Sequence, residues 1–152
     1  MAAEGTATID LINEVSLMFT RILLKCAIGE DLDNVMVDHY ENGVKLSKDV
    51  PYALRNTFSK MVGRTFALHT IAFPFLAKYH ITPHEREIQA NAKALRVLFE
   101  KMVRTRKALI KESPADETLK RDLLGILLSN PATCDDNEMI IDECLTFFFA
   151  GS

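Results

Sequence analysis

Cysteine is scarce in this chain. Cys26, Cys134 and Cys144 form an odd, widely spaced set, which suggests reduced thiols in a cytosol-facing setting rather than a disulfide framework. Cys144 sits inside an apolar helical stretch, where a buried, inert thiol is the ordinary reading. No run of eighteen apolar residues occurs, so no spanning helix is expected. The opening MAAEGTATIDLINE has no basic region followed by an apolar core, which argues against a secretory signal. Histidines are few, and none completes a metal set. His80 and His84 are four apart, but Pro83 separates them across a helix start, and His39 and His69 stand alone. No glycine-rich phosphate loop, nucleophile elbow or internal repeat is visible. A net charge of −3 predicts no general attraction to nucleic acid or acidic lipid. No complete catalytic constellation is contained in these residues.

What is present is helical periodicity. With 152 residues, 48% hydrophobic and 26% charged, the chain suits one globular domain that buries roughly 68–70% of its unfolded surface. Thr8-Ile9-Asp10 opens a first helix with Ile9, Ile12, Val15, Phe19, Ile22 and Cys26 as its expected buried stripe and Gly29 as its stop. In Glu30 to Asp49, Asn42-Gly43 between alternating valines favours a hairpin turn; a loop with short helical turns is the stronger expectation. Asp49-Val50-Pro51 starts the next helix, with Leu54, Phe58, Met61, Thr65 and Leu68 inward and Pro74 closing the segment.

Phe66, Phe73, Phe75 and Tyr79 then cluster where a helix end and a loop should lie. Loops are ordinarily polar, so the cluster is either a packed corner or an apolar lid over a cavity or membrane-dipping surface. Thr82-Pro83-His84-Glu85 reads as a capping box with proline in the first turn. The helix behind it carries Ile88, Ala92, Leu95, Phe99, Met102 and Leu109 inward and runs to about Lys111. Its polar face is basic, but Glu85, Glu87 and Glu100 interrupt the stripe, which favours a solvated face over a phosphate-tracking one. Ser113-Pro114 breaks that helix, and Asp116 to Ser129 forms a shorter one.

The last stretch, DDNEMIIDECLTFFFAGS, opens with Asp135 as cap and Glu138 three residues on. From Cys144 to Ala150 every residue but Thr146 is apolar, so other protein must wrap this helix. The acidic opening followed by IIDECLTFFFAG resembles the first half of the long central helix of haem-thiolate monooxygenases, the cytochrome P-450 family. Ala150, Gly151 and Ser152 match the first three positions of that family's Ala/Gly-Gly-x-Asp/Glu-Thr motif. The upstream order is also similar: FPFL, then TPHERE, then a long amphipathic helix ending VRTRKALI, then RDLLGILLSN.

The resemblance implies an all-α fold over 1–152, the middle helical part of a cytochrome P-450-like domain without its haem-ligand region. It implies a parent that inserts one oxygen atom from O2 into an organic substrate, with haem iron as cofactor and a reductase as electron donor. Ala150 and Gly151 would line the oxygen side of the haem pocket. Phe66, Phe73, Phe75, Phe147 and Phe148 would face substrate, Phe147 and Phe148 alternatively the core. For a eukaryotic parent it implies the cytosolic face of the endoplasmic reticulum, reached through an amino-terminal anchor that is not in this sequence. Departures accompany the match: no tryptophan, no helical Glu-x-x-Arg pair and no Phe-x-x-Gly-x-x-x-Cys-x-Gly loop. The chain is therefore expected to be inactive by itself and to hold neither haem nor metal alone. The competing expectation is a free-standing helical interaction module that docks through its apolar last helix.

Overall fold

The computed structural model describes residues 10–30, 32–66 and 82–151. Helix α1 is Leu11–Ile28; Asp10 caps it by accepting from the Asn13 N–H at 3.1 Å, and Gly29 ends it at φ 72°. Strands β1 (Met36–Glu41) and β2 (Val44–Asp49) pair antiparallel. Helix α2 (Val50–Thr65) follows β2 without a loop, with Pro51 in its first turn. Helix α3 is Pro83–Glu112, a 3-10 turn spans Glu117–Lys120, and α4 is Leu123–Ser129. Helix α5 is Asn137–Gly151.

The described chain is thus mostly helical but not all-α. The segment expected as a loop is a hairpin, because Asn42 (φ 53°) and Gly43 (φ 77°) both take the left-handed region that a two-residue turn between twisted strands requires. A lone two-stranded sheet is marginal in water, and here α3 completes it. The side-chain amide of Asn91, buried on α3, accepts from the Tyr40 N–H at 2.6 Å and donates to the Tyr40 carbonyl at 2.8 Å. It takes the place of a third strand at the open edge of β1. Glu87 accepts from the Gly43 N–H at 3.1 Å and pairs with Lys60 of α2 at 2.5 Å, fixing the turn to two helices.

Helix α1 is buried on a different face from the expected one. Thr20, Leu24, Ala27 and Ile28 are enclosed, whereas Ile12, Val15, Phe19, Ile22 and Cys26 are exposed. Both sets recur at three- and four-residue steps, so periodicity alone cannot choose between them. The helix expected over Asp116 to Ser129 is split, since Asp122 leaves helical geometry to cap α4 through the Gly125 N–H at 2.6 Å. The cap of α5 is Asp136, which accepts from the Met139 N–H at 3.0 Å, one residue beyond the expected Asp135. The capping box on α3 forms as read, with Thr82 and Glu85 bonded reciprocally at 3.1 Å each.

The core lies where α1, α2, α3, α4 and α5 meet, around Leu24, Leu54, Phe99, Leu124, Ile141 and Phe148. Arg106 of α3 is buried within it. Its guanidinium meets Asp122 at 2.8 Å and donates to the Ile28 carbonyl at 2.5 Å, tying the end of α1 to α3 and α4. Among the described residues no helix is long and apolar enough to cross a membrane.

Candidate functional site

Helix α5 presents three faces. Ile141, Cys144 and Phe148, at steps of three and four, enter the core, with the Phe148 ring centroid 5.5 Å from that of Phe99. Met139, Glu143, Phe147 and Ala150 fall on an exposed face. Between them, Asp142, Leu145, Thr146 and Phe149 form one wall of a cavity of about 440 Å³. Thr57, Phe58 and Met61 of α2 and Ala92 and Leu95 of α3 supply the other walls. Phe149 stands edge-on to Phe58, centroids 5.6 Å apart at 83°, a favourable ring geometry that joins two of the walls.

The cavity is apolar with few polar groups. The Thr57 hydroxyl donates to the Ala53 carbonyl at 2.7 Å, so its hydrogen is committed within α2. At the rim, Arg96 of α3 donates to Asp142 at 2.7 Å and also pairs with Glu138; the two carboxylates raise the guanidinium pKa, Glu138 more than Asp142. An apolar concavity of this size with a small number of placed polar groups is the usual form of a small-molecule site.

The cysteines lie elsewhere. Cys26 is exposed on α1, and the Cys134 thiol donates to the Pro131 carbonyl at 3.8 Å in the turn before α5. Burial, then the Asp122 and Glu143 carboxylates, pushes the Cys144 thiol up to about 11. Among the described residues no three His, Cys, Asp or Glu side chains converge as a metal site would need.

The geometry so far describes a mostly helical protein with a half-open, largely apolar pocket between α2, α3 and α5. A family model described as cytochrome P-450 matches residues 1–152, and the chain belongs to the cytochrome P-450 family. That is a family of haem-thiolate monooxygenases, whose members generally use O2, an organic substrate and an electron-donating partner. No curated protein and no solved structure gives a significant match.

The family's iron is held by a cysteine thiolate. Cys144 does not fit that role, since it is closed inside the core and burial pushes its thiol up, away from the thiolate form.

Of the residues singled out from sequence, Phe66 caps α2 and is 74% exposed, Phe147 is half exposed against Phe148, and Phe148 is fully buried. Ala150 is exposed and Gly151 is the last residue of α5. Phe73 and Phe75, with Tyr79, lie outside the described residues. Phe66, Phe147, Phe148 and Ala150 do not line the cavity, and sequence reasoning missed Phe149 and Asp142, which do. Their signal was available: 142, 145, 146 and 149 are the i, i+3, i+4, i+7 positions of one helix face.

Proposed function

We propose that this chain supplies the substrate-side helices of a monooxygenase that inserts one oxygen atom from O2 into an organic substrate. The observation that carries the reading is the cavity between α2, α3 and α5, walled by the same helix that ends in Ala150-Gly151. Phe58, Met61, Leu95, Leu145 and Phe149 hold the apolar body of the substrate and exclude water. The small side chains of Ala150 and Gly151 leave room on the oxygen side, and Phe66, Phe73 and Phe75 contribute apolar contacts to the substrate. The iron ligand comes from residues other than these 152, so the chain is a part of a longer enzyme and is inactive by itself.

Two measurements test this. Titrating 1-decanol into the chain should shift the methyl resonance of Met61, with weaker binding in Phe149→Ala; an unmoved Met61 overturns the cavity as substrate wall. The chain given haem, dithionite and carbon monoxide should show no thiolate-type red-shifted Soret band. A stoichiometric complex with that band, lost on substituting Cys26, Cys134 or Cys144, overturns the assignment of the ligand to other residues.

A further inference from the structure

Among the described residues the rim of the cavity carries more acid than base. Arg96 reaches Glu138 and Asp142, one turn apart on α5. One guanidinium between two carboxylates leaves a net negative charge. The neighbouring cations of α2 are matched, Lys60 by Glu87 and Arg64 by Glu85, and so offer no spare positive charge to the rim. Arg96 donates to Oδ1 of Asp142; among the described residues Oδ2 has no partner, and the side chain lines the cavity.

The polar groups that are fixed here accept rather than donate. Asp142 is acceptor-only when ionised, and Thr57 has spent its hydrogen on the Ala53 carbonyl, leaving only lone pairs. A ligand without a donor would strip water from Asp142 and return nothing. An anionic ligand would meet the surplus negative charge. An ammonium group fits both requirements, because it brings donors and the compensating charge in one charge-assisted bond.

We propose that the site selects amines: a molecule with an apolar body against Phe58, Leu145 and Phe149 and a protonated amine seated on Asp142. This rests on the cavity being the substrate wall.

The test compares decylamine, 1-decanol and decanoate by the Met61 methyl shift of the whole chain. The amine and the alcohol can both donate to the carboxylate, so decylamine should exceed 1-decanol by its charge alone, about two- to fivefold for a carboxylate this exposed, and decanoate should bind weakest. Asp142→Asn should bring the amine down to the alcohol, while 1-decanol, which can still donate to the amide oxygen, should weaken far less than the amine. Arg96→Met should tighten the amine, since it frees both carboxylates, whereas a purely structural network would weaken all three ligands. Equal affinities for amine and alcohol, or selectivity that survives Asp142→Asn, would overturn the proposal while leaving the cavity intact. Failure of all three ligands to move Met61 would overturn it together with the cavity reading.

Discussion

His39 is almost wholly enclosed on β1, its ring edge-on to Tyr52 at a centroid distance of 5.9 Å. Burial, then the Lys60 ammonium, holds its pKa below the ordinary 6.5, while Asn56, Glu41 and Glu87 pull the other way. The charged form is therefore disfavoured more in the folded chain than in the unfolded one. The sign follows from proton uptake: above about 6.5 the neutral ring contributes its full stability, and as pH falls toward the lowered folded value the unfolded chain gains a proton first. Urea melts of the wild type should show midpoints that decline below pH 6.5, and His39→Gln should flatten that decline. Identical slopes in the two proteins would remove His39 from the pH response.

Three adjacent rings on α5 serve three environments because successive residues stand about 100° apart. Phe148 is enclosed, and Phe147 and Phe149 are 40% and 45% exposed. Phe148→Ala should cost about 3–5 kcal/mol, the usual loss for a buried phenylalanine. Phe149→Ala gives up its edge-on contact with Phe58, about 0.5–1.5 kcal/mol, together with its other contacts, and being 45% exposed it should still cost less than Phe148→Ala. Denaturant midpoints of the two variants should separate accordingly, with ligand binding falling in Phe149→Ala at the smaller cost in stability. Equal losses of stability would show that Phe149 belongs to the core and not to the cavity. Elsewhere on this scale, α3 keeps its start through Thr82 and Glu85 and gives its middle to other elements: Asn91 to the edge of β1, Arg96 to the rim, Arg106 to the end of α1.

At the scale of the molecule, the largest unmet demand among the described residues is on α1. Leu11, Ile12, Val15, Met18, Phe19 and Ile22 are each at least 49% exposed on one helix, a contiguous apolar surface of the kind that marks an interface. With Phe147 and Phe149 on α5, it predicts that the chain alone is helical by circular dichroism, binds a hydrophobic dye and self-associates. Replacing Ile12 with Glu and Phe19 with Lys together should lower the weight-average mass in sedimentation and reduce dye binding, without loss of helicity. A compact wild-type monomer that does not bind dye would contradict this.

The sequence by itself determined what depends on neighbours within a few residues. The Thr82–Glu85 box, proline at the starts of α2 and α3, and the left-handed stop at Gly29 all form as read, because their hydrogen bonds span three or four positions. The lead-in to Ala150-Gly151 and the order of helices carried the family resemblance for the same reason. Part of the site was legible too: Phe58 and Met61, and Ala92 and Leu95, stood on the stripes expected of their helices and now line the cavity. Only the tertiary structure decided which of two apolar faces of α1 is enclosed, which phenylalanine of α5 meets the core, and that Asn42-Gly43 closes a hairpin. In each case the local pattern supports two answers of similar energy. The choice falls to the elements that arrive from far along the chain: α5 closing over α2 and α3, and Asn91 satisfying a strand edge 51 residues away.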